Sequence, residues 1–260
     1  MPITTFDRVH LMNLDRRPDR LESFNSGLEA AGWPFTKPLR FRAIDGQKVE
    51  PPKGYNQQPG AWGCMRGHIR IWEDAMMDGL RSVFVFEDDC VFHRNFATML
   101  PAFLADVPDD WDMIYLGGLH RYTKADQAER VTDRCYRAWG VTGTWAYAIS
   151  AKFLPVIYQH FASQSLFDAN HIDQMLCKFQ IIHRPKVYIP YPWLCGMKEG
   201  ESDICGRVYM GDAWWHWTPQ SEPKPFHAIE LLGRIPFANG QGQAEFRNGF
   251  NIDLMQQEQS

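Results

Sequence analysis

Residues 87 to 89 place Glu87, Asp88 and Asp89 side by side, directly after the apolar run SVFVF (Ser82 to Phe86). Adjacent carboxylates repel one another, and burying them raises their pKa values. A divalent cation removes that conflict. Carboxylate oxygens suit magnesium or manganese, ions that keep water and phosphate oxygens as their other ligands. The same three residues also describe an acidic turn that caps a strand in water. If the strand continues through them, Glu87 and Asp89 share one face and Asp88 takes the other. A strand's C-terminal end is where open α/β sheets bind ligands, so an acidic pair there suggests a metal-bound phosphate or diphosphate.

A second group stands in the text MNLDRRPDR, where Arg16, Arg17 and Arg20 follow the apolar stretch VHLMNL (Val9 to Leu14). Guanidinium groups beside a helix N-terminus form an anion and nucleotide site, or simply a solvated basic first turn. A third candidate is Asp173 in HIDQML. It stands where a helix start would hold a carboxylate for use as a general base, or where it would only cap the helix. His68 lies beside an apolar helical stripe and reads as a packed or hydrogen-bonded core histidine.

These groups need a scaffold, and hydrophobic spacing supplies one. VHLMNL reads as a buried strand. Leu21, Phe24, Leu28 and Ala31 recur at helical spacing between Pro18 and Gly32. LRFRAI alternates, with Leu39, Phe41 and Ala43 on one face. A loop is expected over residues 47–62. Ile69, Trp72, Met76 and Leu80 make the stripe of the next helix. SVFVFEDD is a strand, 95–105 a helix, and WDMIYLG (Trp111 to Gly117) a strand. A long loop over 119–135, the strand TWAYAIS, a helix carrying Pro155 in its first turn, a short helix at HIDQMLCKF and an edge strand at HRPKVYIPYP complete the reading. Strand and helix alternation predicts an α/β fold: one domain with a mainly parallel twisted sheet flanked by helices. The domain is expected over 1–218, and 219–260, rich in Pro, Gly and Gln, as an extension that wraps it or is partly disordered.

The chain has 260 residues, 45% of them hydrophobic, with a formal net charge of -4. That balance gives no reason to expect nucleic acid. No apolar run is long enough to span a bilayer. No secretory leader is legible, and the six scattered cysteines form no CxxC. The expectation is reduced thiols in the cytoplasm, with or without peripheral attachment to a membrane. No P-loop, GxSxG or HExxH text is present.

Taken in order, MNLDRRPDR, RAIDG (Arg42 to Gly46), GCMRGHIRIWEDA (Gly63 to Ala75), FEDDCVF (Phe86 to Phe92), WDMIYLGG (Trp111 to Gly118), HIDQML and SDICGR (Ser202 to Arg207) resemble glycosyltransferase family 25. That family includes bacterial lipooligosaccharide galactosyltransferases and relatives of the procollagen galactosyltransferases. One departure is clear: the family usually has serine before the histidine of the GC helix, and here it is Gly67. The resemblance implies a GT-A type fold and a manganese- or magnesium-dependent, inverting transfer of galactose or glucose. It also implies a UDP-sugar donor and a glycan, lipid-linked or protein acceptor. By position it implies that Asp89, with Glu87, binds the metal. Asn13, Leu14, Arg16, Arg17, Arg20, Glu87 and Asp88 would contact the donor. Asp173 is then the candidate base, with Asp203 and Asp112 in reserve. A non-catalytic nucleotide-sugar or carbohydrate-binding module on the same scaffold is the alternative. Oligomeric state is not legible.

Overall fold

The structure, a computed structural model, describes residues 6–120, 128–163, 171–209, 235–238 and 244–247. The chain runs β1 (Arg8–Asn13), α1 (Pro18–Ala31), β2 (Leu39–Arg42), α2 (Pro59–Met77), β3 (Ser82–Glu87), β4 (Cys90–Phe92), α3 (Phe96–Asp106) and β5 (Met113–His120). It continues with β6 (Glu129–Arg130), β7 (Cys135–Ala138), β8 (Val141–Ser150), α4 (Leu154–Ser163), α5 (Ile172–His183), β9 (Val187–Pro190), β10 (Cys195–Met197), β11 (Gly200–Glu201) and β12 (Val208–Tyr209).

Eight strands form one sheet in the order β2-β1-β3-β8-β5-β9-β7-β6. β1 pairs in parallel with β2 and β3, and β5 with β9, whereas β8 is antiparallel to both β3 and β5. β7 is antiparallel to β9 and to β6. Six strands therefore point one way, and β8 and β7 are inserted against them. The expected α/β scaffold is present. A strand's direction follows from which end its connection enters, and spacing of apolar residues carries no information on that.

Alternation along the strands explains the core. Val83 and Val85 face a cluster with Ile71 and Trp72 of α2, Leu154 and Ile157 of α4, and Leu176 of α5. Phe84 and Phe86 face the opposite cluster with Phe24 and Leu28 of α1 and Leu100 and Phe103 of α3. A strand covered on both faces must be apolar throughout, which is why SVFVF shows no polar gap. α1 ends at Gly32, whose φ of 71° is the left-handed cap that its position at the end of the stripe predicts.

Three local expectations change. The loop placed at 47–62 ends early, because Pro59 starts α2 at its first helical position. The loop placed at 119–135 contains β6 and the start of β7. β9 is not an edge strand: it lies between β5 and β7 and is fully buried. Pro190 is tolerated there because the bond to β7 is made by the next N–H, Tyr191 to the Arg134 carbonyl, and pairing with β5 has already ended at Tyr188. β4 and β10 form a short antiparallel pair outside the main sheet. Leu39, which alternation puts on one face with Phe41 and Ala43, is 56% exposed on the edge strand β2. Of the expected 219–260 extension, only the hairpin β13 (Ile235–Ala238) and β14 (Ala244–Arg247) falls within the described residues. Among the described residues, no helix is long and apolar enough to cross a membrane.

His10 is a polar group in β1 at 9% exposure, and neither ring nitrogen has a hydrogen-bond partner. Burial, reinforced by the charge of Arg8, holds its pKa down at about 4, against 6.5 ordinarily. The unfolded chain therefore takes up a proton that the folded chain refuses. The contribution of His10 to stability is complete above pH 6.5 and is lost as pH falls from there towards 4. His10→Leu should remove this acid sensitivity. Urea unfolding of both proteins at pH 7.5 and pH 5 should show the variant gaining relative to wild type at the lower pH. An unchanged difference would mean the core accommodates the protonated ring.

Candidate functional site

Four elements bring the polar groups together. β1 and β3 are adjacent and parallel, so Asn13 at the end of one lies beside Glu87 at the end of the other. α1 begins four residues beyond Leu14, which swings its basic first turn over the same sheet edge. α2, packed on the sheet's other side, supplies Cys64 and His68 from below.

β3 stops at Glu87, and Asp88 and Asp89 form the turn into β4. The strict alternation expected through Asp89 therefore ends two residues earlier. Instead of opposing one another, Asp88 and Asp89 share a cation: Arg20 donates from one terminal nitrogen to Asp88 Oδ1 at 3.2 Å and to Asp89 Oδ2 at 3.3 Å. Asn13 donates to Asp88 Oδ2 at 2.7 Å and to the Arg17 carbonyl at 2.9 Å. Its own carbonyl oxygen accepts from Arg40 Nε at 2.9 Å, which fixes the amide's orientation. Leu14 contributes its carbonyl, which accepts the Arg17 backbone N–H at 3.0 Å and tightens the turn into α1.

Glu87 is held from beneath. Its Oε1 accepts from His68 Nε2 at 3.0 Å, and His68 Nδ1 lies 2.8 Å from the Tyr147 hydroxyl. Trp72 Nε1 donates to that same hydroxyl at 3.1 Å. With a neutral ring and an ionised Glu87, Tyr147 O–H donates to Nδ1 and Nε2–H donates to Glu87. His68 is a hydrogen-bonded core histidine, fully buried, as its place beside the apolar stripe predicts.

The three carboxylates do not titrate alike. Burial disfavours the charged form of Glu87, but hydrogen bonds from His68 and Thr144 and the charge of Arg20 bring its pKa below the ordinary value. Burial raises Asp88, against the pull of Asn13 and Arg20. Burial and then the charge of Glu87 push Asp89 up to about 7. Asp89 Oδ1 is buried without any hydrogen-bond partner. Asp173, in the first turn of α5, is raised by burial and accepts the Gly143 backbone N–H at 3.2 Å. Its pKa is also raised by the charge of Glu87, which places Asp173 in the same electrostatic neighbourhood.

Asp203 and Asp45 were not anticipated as members of this group. Asp203, weighed only as a reserve base, forms ion pairs with Arg16 and with Arg17, the latter at 2.5 Å. Asp45 accepts from Arg16 Nε at 3.2 Å. Asp112, the other reserve, lies at the opposite end of the sheet, where it accepts the Lys186 backbone N–H at 2.8 Å. Cys64 Sγ, a His68 ring nitrogen and a Glu87 oxygen lie within 4.8 Å of one another. A thiol, imidazole and carboxylate together suit zinc better than manganese. In this arrangement, however, His68 Nε2 is spent on Glu87, and burial followed by the neighbouring carboxylates raises the Cys64 pKa, keeping the thiol protonated. Gly67 has a packing reason: a Cβ there would stand 2.6 Å from Met12 Cε. The Met12 side chain fills the space in which a serine would sit.

The family model described as glycosyltransferase family 25 (LPS biosynthesis protein) matches residues 6–164. The chain is 35% identical over 235 residues to human inactive glycosyltransferase 25 family member 3, covering 81% of this chain and 38% of that protein. It is 30% identical over 211 residues to procollagen galactosyltransferase 1 of Danio rerio, covering 72% and 32% respectively. The chain thus spans about a third to two-fifths of the length of these relatives. A solved glycosyltransferase involved in glycosylation of the major capsid of PBCV-1 matches with a TM-score of 0.41 and 8% identity over 70% of this chain and 79% of that one. That similarity is too low to transfer anything further.

The Trp72–Tyr147–His68 chain predicts a stability effect separate from any catalysis. Tyr147→Phe keeps the ring, which stacks on Tyr115 at 5.7 Å, but removes the hydroxyl shared by Trp72 and His68. Leaving buried polar groups unpaired should cost about 2 kcal/mol or more in urea unfolding. A loss within about 0.5 kcal/mol, the range of an inconsequential substitution, would show that water or a rearranged ring replaces the hydroxyl.

Proposed function

Since the chain belongs to glycosyltransferase family 25, we propose that it moves a sugar, galactose or glucose, from a UDP-sugar to a hydroxyl. The acceptor is a glycan, a lipooligosaccharide or a protein. Transfer proceeds with inversion and requires manganese or magnesium. The observation that carries this reading is Asp89 Oδ1, a buried carboxylate oxygen with no partner at the end of β3. An acceptor in that state calls for a cation or a donor. Asp89 and Glu87 would hold the ion, which supplies neutralisation of the charge that grows on the leaving diphosphate. Five carboxylates (Asp45, Glu87, Asp88, Asp89 and Asp203) face three arginines at this site, so the residual charge also favours a cation.

The chain's own groups fill the remaining roles. Arg16, Arg17 and Arg20 bind diphosphate oxygens, a task for which the planar guanidinium is suited. Asn13, the Leu14 turn and Asp88 position the nucleoside. Asp173 takes the proton of the acceptor hydroxyl. Its raised pKa makes it a stronger base than a surface carboxylate, and the Gly143 N–H fixes its direction.

A second reading keeps the nucleotide-sugar site without turnover. It draws on the human and mouse relatives, which are themselves named inactive. One pair of measurements separates the two. UDP binding by calorimetry, with manganese and then with EDTA, should be tight only with the metal, and Asp89→Asn should abolish it while the fold survives. Metal-dependent binding that persists in Asp89→Asn would remove Asp89 from the ion site. Turnover on a panel of UDP-sugars should accompany binding, and Asp173→Asn should keep UDP affinity while losing about 10²- to 10⁴-fold in rate. Binding without turnover on any donor and acceptor would favour the non-catalytic module. Full turnover by Asp173→Asn would place the base elsewhere.

A further inference from the structure

Three guanidinium groups converge on one carboxylate. Arg16 and Arg17 each form an ion pair with Asp203, and Arg20 approaches its Oδ2 at 3.7 Å. Arg20 also donates to the Glu201 carbonyl at 2.6 Å. Asp203 comes from far along the chain, 187 residues after Arg16. Carboxylate and phosphate oxygens are recognised by guanidinium in the same way. A cluster of arginines around one tethered carboxylate is therefore an anion site with a built-in occupant.

The segment that delivers Asp203 is slight. β11 and β12 pair only with each other, and Val208 and Tyr209 are 69% and 41% exposed. Gly206, at φ 65°, turns the loop back, and its N–H donates to the Ser202 carbonyl at 2.8 Å. The segment touches α2 at Gly60, where a Cβ would stand 2.7 Å from the Asp203 carbonyl oxygen and from Ile204. The contact is backbone on backbone, with little apolar area to resist opening. Segments with few buried apolar contacts open at low free-energy cost. The arginine–carboxylate pairs are the main hold on it.

Building on the donor site proposed above, we infer that Asp203 occupies the diphosphate's place among Arg16, Arg17 and Arg20 and sets the site's affinity by competing with the donor. The diphosphate displaces Asp203, and the hairpin 200–209 is released from the arginines as the nucleotide enters. Arg20 links this exchange to the strand-end acids, because the same guanidinium holds Asp88 and Asp89. Leaving Asp203 as a charge held close by, rather than a distant one, keeps the arginines paired when no donor is bound. A tethered competitor acts at high effective concentration. If the latch is closed about nine-tenths of the time, it masks about ten-fold in affinity.

Calorimetry on wild type and Asp203→Asn, with manganese present, tests this with UDP and with inorganic pyrophosphate as probes. The variant should bind both about ten-fold more tightly, and the amides of 200–209 should exchange hydrogen faster without ligand. Equal or weaker binding by the variant, with wild type binding UDP, overturns the competition alone and makes Asp203 an aligner of the arginines. Failure of both proteins to bind either probe removes the donor site and the competition together. Should Asp203→Asn not fold, wild type decides: saturating UDP must accelerate exchange in 200–209, and slowed or unchanged exchange overturns the proposal.

Discussion

Glu87, Asp88 and Asp89 sit where the sheet ends and burial begins, and their mutual repulsion constrains everything around them. Each neighbour answers one of the three. His68 stands beneath Glu87, Asn13 beside Asp88, and Arg20 bridges Asp88 and Asp89. None of these partners could be moved without exposing a charge to a medium that solvates it poorly. The result is graded: Glu87 is held ionised, whereas Asp89 is pushed towards neutrality and keeps one oxygen with nothing to bind.

The two-sided sheet makes this arrangement possible. Phe84 and Phe86 lock β3 against α1 and α3 on one face, and Val83 and Val85 lock it against α2 on the other. With both faces packed, the strand end cannot shift to relieve the repulsion. The same packing delivers His68, because the apolar stripe of α2 must face the sheet and His68 lies next to it. The buried chain from Trp72 through Tyr147 to His68 then converts core packing into orientation of the largely buried Glu87 carboxylate. β8 is central to this: its Tyr147 points to α2 from a strand buried along its whole length.

The arginines show a different economy of charge. In sequence, Arg16, Arg17 and Arg20 look like an open basic patch. In the fold they are divided among Asp19, Asp45, Asp88, Asp89 and Asp203. A cluster of guanidinium groups left alone would repel itself, so an apo site for a doubly charged anion needs carboxylate placeholders. Asp203 is the placeholder with the weakest structural attachment, which is why the exchange of ligand for carboxylate is assigned to it.

The alternation of β1, β2, β3 and β5 with α1, α2 and α3 along the chain, the apolar run of β3, the stripe of α2 and the caps at Pro18 and Gly32 were all legible in the sequence. Each depends on local spacing and local backbone sterics. The acidic triplet was legible as a group for the same reason, although a ligand-binding strand end and an acidic capping turn read alike at that position. Strand direction and order were not legible. The insertion of β8 between β3 and β5, and of β9 between β5 and β7, rests on long-range pairing that leaves no periodic trace. The turn at Asp88 and Asp89 was missed because alternation was extended two residues past the strand. The partnership of Asp203 with Arg16 spans 187 residues, and no spacing rule reaches that far. Sequence alone determined which chemical groups this chain possesses and which elements carry them. Only the tertiary structure decided which charges face one another, because burial and pairing are properties of three-dimensional proximity rather than of neighbourhood along the chain.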